Sequence, residues 1–167
     1  MLEEFVELFE SGDFVSFASK FSFAAIESRE RREKQNEVAK KIYSKFYPPK
    51  MAENFFELDE WERNKLAFAV AVNSVAKGLA TSQIRKILNM SAKIYRNFRK
   101  KQDISKDVVR LNYTLAYTLG RQKQIEPVAE VLSKVLPQLK NGEKNYEEVH
   151  DFLQAVVAYH KLLGGRD

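Results

Sequence analysis

Apolar residues recur at helical spacing from one end of this chain to the other, and strand-like alternation is scarce. Residues 2–10 predict a short first helix, broken at Ser11-Gly12-Asp13, where a new N-cap can form. From Asp13 to Phe46 no glycine or proline intervenes, yet the apolar positions gather at the two ends. They are Phe14, Phe17, Phe21 and Ala25, then Val38, Ile42 and Phe46. Residues 27–37 between them are wholly polar, with Glu27/Arg31 and Glu30/Lys34 as i,i+4 pairs. Such a stretch is either a helix bridging two packed bodies through solvent or a solvated linker between two helices.

Pro48-Pro49 stops that run, because neither ring can donate and each pushes the preceding residue extended. A third helix is expected from about residue 53, with Phe56, Leu66, Val70, Asn73 and Ala76 in step, to a Gly78 C-cap. Trp61 is expected in the core. Thr81 or Ser82 can cap a fourth helix reaching about Lys101, and Ser105 a fifth with Gly120 near its end. Pro127 suits the first turn of a sixth, with a kink at Pro137. Asn145 and Glu148 resemble a capping box for the last helix, which ends at Gly164-Gly165. The expected fold is therefore all-α, a bundle of about six to seven helices. It divides into an N-terminal arm and bridging helix (residues 1–47) and a bundle (residues 51–165).

The arm is unusual in its aromatic load. Phe5, Phe9, Phe14, Phe17, Phe21 and Phe23 are six of the twelve phenylalanines. So short a segment cannot bury them by itself, and it must fold back on its own core or cover a neighbour. Docking on another protomer, as in a swapped dimer, is the reading favoured at this stage.

Charge changes the picture more than composition does. Residues 77–123 carry twelve Lys or Arg against Asp103 and Asp107 alone, a net +10. The whole chain is only +5, so the remainder sums to −5. A positive charge confined to about a quarter of a chain is the footprint of a phosphate-binding surface. On the fourth helix Lys86, Lys93 and Lys100 recur every seven residues opposite the apolar stripe Ile84, Ile87, Leu88, Ile94, Tyr95 and Phe98. Arg85, Arg96 and Arg99 follow an adjacent line. On the fifth, Val108, Leu111, Leu115 and Leu119 face inward, while Arg110, Tyr113 (or Thr114), Tyr117 and Arg121 share another side. The tyrosines could stack on bases, but periodic aromatics favour the core. A solvated face normally mixes signs, and this one barely does. The candidate nucleic-acid-binding set is Arg85, Lys86, Lys93, Arg96, Arg99, Lys100, Lys101, Arg110 and Arg121, and a lone patch does not distinguish RNA from DNA.

Other chemistry is poorly represented. There is no cysteine, which excludes disulfides and thiolate metal sites and fits a reducing cytoplasm. His150 and His160 lie ten residues apart on one helix, about 80° apart in rotation, without metal-ligand spacing. His160 is expected to pack, hydrogen-bonded, near the helix end. No Gly-rich phosphate loop or nucleophile elbow is present. Asp103 and Asp107 read as loop and first-turn acids rather than a nuclease pair. The N-terminus lacks a signal-peptide pattern, and the longest apolar run, residues 66–72, is too short to cross a bilayer. No enzyme, cofactor, metal or membrane partner is expected.

Three stretches resemble one family. Leu79-Ala80-Thr81-Ser82-Gln83-Ile84-Arg85-Lys86-Ile87-Leu88 resembles its helix start. Leu111-Asn112-Tyr113-Thr114-Leu115-Ala116-Tyr117-Thr118-Leu119-Gly120-Arg121-Gln122 resembles its second helical motif. Phe152 to Gly165, with Ala158-Tyr159-His160-Lys161 inside it, resembles its closing motif. The family is the small helical subunit of the type III-A (Csm) CRISPR interference effector complex, and the likeness covers residues 79–165 in order. It implies a non-catalytic, all-helical subunit whose copies stack beside backbone and large subunits as an inner filament. Its basic surface would run along the guide–target RNA duplex and contact target RNA, leaving cleavage and signalling to other subunits. Arg85, Lys86 and the Lys93–Lys101 group would line the RNA path, with Arg121 at its edge and the tyrosines holding the bundle together. Nothing in the N-terminal half matches a motif.

With the resemblance added, the expected role is a subunit that binds single-stranded RNA or a guide–target duplex without sequence preference and meets copies of itself. Two alternatives stay open. One is a DNA-binding regulator with Ser82, Gln83 and Arg85 at base edges. The other is a scaffold whose basic face meets an acidic protein.

Overall fold

The seven-residue apolar run within residues 66–72 is buried throughout, and the rest of the fold is arranged around it. It lies in the helix Glu60–Ala76, where steps of about 100° set Leu66, Ala67 and Val70 on one side and Phe68, Ala69, Ala71 and Val72 on the other. Each side belongs to a different hydrophobic cluster, so this helix is the shared wall between them.

The computed structural model describes residues 2–23 and 28–167. Among the described residues there are nine α-helices and no strand. They are α1 (Leu2–Ser11), α2 (Phe14–Phe23), α3 (Ser28–Phe46), α4 (Pro48–Ala52), α5 (Glu60–Ala76), α6 (Thr81–Arg99), α7 (Ser105–Arg121), α8 (Glu126–Val135) and α9 (Tyr146–Leu162). Short 3-10 turns occupy Phe55–Glu57, Lys123–Ile125 and Leu136–Asn141.

The chain is all-α, with more helices than the six or seven expected. One addition is α4. The two prolines end α3 as expected, but after Tyr47 adopts a left-handed conformation they also start a new helix. Their fixed φ suits a first turn, where no N–H is needed. The expected helix from residue 53 begins instead at Glu60, where Asp59 and Glu62 form a reciprocal capping box. At Pro137 the chain tightens into a 3-10 turn rather than kinking.

Five of the six arm phenylalanines are buried, and they are buried by their own chain. Phe14 stacks on Phe68 of α5 at 4.0 Å with the rings 8° from parallel, and Phe17 meets the same ring edge-on at 4.9 Å. Phe14 also meets Tyr159 of α9 at 5.2 Å. This corrects the expectation that the arm docks on another protomer. The four residues on the far side of α5 form an apolar wall that the arm covers. The side chain of Phe23 lies outside the described residues, as does the Glu27/Arg31 pair.

From Ser28 onward the charged stretch is helical and runs unbroken into Val38, Ala39 and Ile42, which are buried against α5. Trp61 departs from expectation, being 69% exposed. It sits in the first turn of α5, ahead of the buried run 66–72, and lines an open hollow with the Gly12 turn and Leu162.

Candidate nucleic-acid interface

From Lys77 to Gln102 the sequence contains no acid, and this stretch includes the whole of α6. Ile84, Ile87, Ser91 and Ile94 are its buried stripe, seated mainly against α9. On the opposite side Arg85, Lys86, Lys93, Arg96 and Lys100 project into solvent, with Arg99 at the margin. Lys101 lies in the turn after the helix and takes a left-handed φ of 59°. Arg110 and Arg121 are exposed on α7. The fold therefore gathers five of the nine candidates on α6 and places the other four at its end or on its neighbour.

All nine side chains are exposed. Among the described residues Arg110 is the one of the nine with a carboxylate at ion-pair distance, Asp107 at 3.8 Å. Arg99 lies over the Tyr95 ring at 5.8 Å. Arg121 lies over Tyr117 at the same distance and donates to its hydroxyl at 3.2 Å. Among the described residues, no acid at ion-pair distance and no ring holds the remaining cations of α6, which leaves them available to phosphates.

Tyr113 and Tyr117 are 58% and 64% exposed, which overturns the core reading. Val108, Leu111 and Leu115 supply the inward stripe of α7, and the tyrosines fall opposite them. Asp107 lies in the first turn of α7 and Asp103 in the loop before it. Asp103 accepts from the Ser105 N–H, which lowers its pKa, and Asp107 accepts from Asn97 of α6 at 3.2 Å.

α6 is fixed from behind by two buried polar contacts. At its start, Thr81 does not cap. Its hydroxyl meets His160 Nδ1 at 3.1 Å, and its N–H donates to the Arg166 carbonyl at 2.8 Å. His160 Nε2 lies 2.8 Å from the Leu79 carbonyl, which can only accept, so the proton sits on Nε2 and Thr81 donates to Nδ1. This agrees with the expected packed, hydrogen-bonded histidine, and burial lowers its pKa.

Mid-helix, Ser91 Oγ accepts from the Tyr146 hydroxyl at 2.9 Å and is hydrogen-bonded to His150 Nδ1 at 3.0 Å. The His150 ring stacks on Tyr95 at 5.1 Å. Burial lowers the pKa of His150 and raises that of Tyr146 to about 12. This trio was missed from the sequence, although a serine on an apolar stripe was the available signal. The Asn145 cap also differs: it accepts from Glu147, while Glu148 turns to Arg63 at 3.7 Å.

A second cationic group had no sequence signal at all. Arg31 and Arg32 of α3, Lys77 after α5 and Arg166 of the tail line one cleft. Among the described residues no cluster of three or more metal-ligating side chains occurs, and no helix is long and apolar enough to cross a membrane.

Comparison with known proteins bears on the same region. The Csm2 Type III-A family model matches residues 61–166. "CRISPR system Cms protein Csm2" of Streptococcus thermophilus is 31% identical over 93 residues, covering 53% of this chain and 76% of that protein.

Proposed function

The chain belongs to the Csm2 type III-A family, a small subunit of the type III-A CRISPR effector complex, and on that premise we propose that it is a non-catalytic RNA-contacting subunit. In this reading the exposed face of α6 follows the phosphates of the target RNA or guide–target duplex. Arg110 and Arg121 contribute from α7. Lysine and arginine neutralise phosphates and release counterions, while guide base pairing supplies sequence choice elsewhere in the complex. Other Csm subunits and further copies of this chain are the protein partners, and the cytoplasm is the compartment.

The observation that carries the reading is the acid-free, solvent-facing cation row of α6, backed by buried polar anchors that hold the helix in place. A solvated face normally intersperses carboxylates among its cations, and this one does not.

The test is fluorescence anisotropy of labelled single-stranded RNA and duplex DNA across a salt series. Binding should prefer RNA, ignore base sequence and weaken steeply with salt. Replacing Lys93, Arg96 and Lys100 together by alanine should flatten the salt slope by roughly two to three units. An unchanged slope in that variant would move the RNA path off α6. Tight, sequence-selective binding to duplex DNA would make the protein a regulator instead.

A further inference from the structure

The cleft of about 430 Å³ between α3, the α5–α6 turn and the C-terminal tail is lined by four cations, Arg31, Arg32, Lys77 and Arg166. Among the described residues no carboxylate lines it. Its four cations come from three places far apart in the chain, so the concentration of charge is a product of folding. Gly78, Gly164 and Gly165 leave the backbone bare along one side, and Val75 and Ala76 contribute apolar surface.

Two features make the cleft more than a group of solvated side chains. Arg166 is held in place, its Nε donating to the Gly78 carbonyl at 3.0 Å while its backbone carbonyl accepts from Thr81. Among the described residues its two Nη atoms have no protein partner, so one edge of the guanidinium is anchored and the other is open. The cleft also reaches Gly78 and Leu79, the residues that lead into the nineteen-residue helix α6. Lys77 is shared with Glu126 at 3.5 Å, but both side chains are about half exposed, and so loose a pair yields readily to a phosphate.

We propose that this cleft binds backbone phosphates of the same RNA strand that follows α6, extending the track past the helix start onto α3. The inference rests on the reading of α6 as an RNA contact. It adds that the N-terminal half of the chain, outside residues 61–166, carries part of the interface. The charged helix α3 then has a role that its packing leaves unexplained: Val38, Ala39 and Ile42 hold it to α5, and its first turns present arginines to the strand.

The experiment uses the full chain, labelled single-stranded RNA and a salt series, comparing wild type, R31A/R32A, R31K/R32K and K93A/R96A/K100A. Arg31 and Arg32 are exposed, so circular dichroism should be unchanged in their variants. R31A/R32A should flatten the salt slope by about one to one and a half units, since each lost single-strand phosphate contact removes roughly 0.7. The lysine pair should restore it. A slope in R31A/R32A equal to wild type overturns the proposal, and a flattened slope in K93A/R96A/K100A would then leave the α6 reading standing. The opposite pattern would remove α6 from the path and overturn the cleft as an extension of that track. No RNA binding by wild type at low salt overturns both. Saturable ATP binding abolished in R31A/R32A, with the RNA slope unmoved, overturns the strand assignment in favour of a free-nucleotide pocket.

Discussion

The imidazole of His160 occupies the space beside Gly165 that any larger residue would need: a Cβ built there would lie 2.0 Å from the ring Cε1. Gly165 N–H in turn donates to the His160 carbonyl at 2.9 Å, so the tail wraps tightly over the ring. The ring joins Leu79 and Thr81 to α9, and the tail holds Thr81 through Arg166. The closing Tyr-His-Lys and Gly-Gly pattern is thus one clamp on the start of the basic helix.

Gly165→Ala should therefore destabilise the protein by about 1–3 kcal/mol, because the buried ring has nowhere to move without losing its two hydrogen bonds. Urea unfolding checks this as a lower midpoint at unchanged slope. Gly142→Ala, with open space around its Cβ position but a φ of 69°, separates backbone strain from this clash.

Stability should fall as pH drops below about 6.5. Burial lowers the pKa of both His160 and His150, so protonation favours the unfolded chain. The sign follows directly: with folded pKa values below the unfolded one, the contribution is complete above about 6.5 and is lost as pH falls through the lowered values. Glu130 and Asp151, whose pKa values burial raises, act in the opposite sense at lower pH. Urea midpoints compared at pH 7.5 and 5.5 should show the loss, and replacing both histidines should reduce the pH dependence.

Ser91→Ala should cost more than its small size suggests, since it leaves the Tyr146 hydroxyl and His150 Nδ1 without their partner. Each orphaned buried group costs about 1–3 kcal/mol. Tyr146→Phe removes a single donor and should cost about 1 kcal/mol. Equal effects from the two variants, measured by denaturant unfolding, would mean that the trio does not act as drawn.

Phe17→Ala should destabilise by about 3–5 kcal/mol, as expected for a buried ring packed on Phe5, Phe21 and Phe68. Because the arm is covered by its own chain, light scattering should give the same oligomeric state for this variant as for wild type. Val15→Ala, two residues away and 67% exposed, should change stability by less than about 0.5 kcal/mol.

Trp61 is the only tryptophan, so intrinsic emission reports one site. At 69% exposure it should emit as a solvated indole and be quenched readily by acrylamide in the folded protein. Shielding from acrylamide in the isolated chain would place a partner or a second copy over it.

Helical periodicity carried the all-α fold, the inward stripes of α6 and α7 and the acid-free cation row, because these depend on spacing within one element. It misplaced Trp61, Tyr113 and Tyr117. An aromatic at helical spacing looks the same whether its helix is covered on that side or bare. The bare side of α7 and the unroofed first turn of α5 exist only because of where their neighbours stop.

What the sequence alone determined was therefore local: the helices, the net +10 of residues 77–123 and the side of α6 that carries its cations. Tertiary structure decided the rest. It laid the Phe-rich arm on its own α5, set Ser91 against His150 and Tyr146, and drew Arg31, Arg32, Lys77 and Arg166 into one cleft. The physical reason is separation along the chain. Burial of the far wall of α5 supplies the free energy that brings α3 alongside the tail, and no pattern within either segment encodes their meeting.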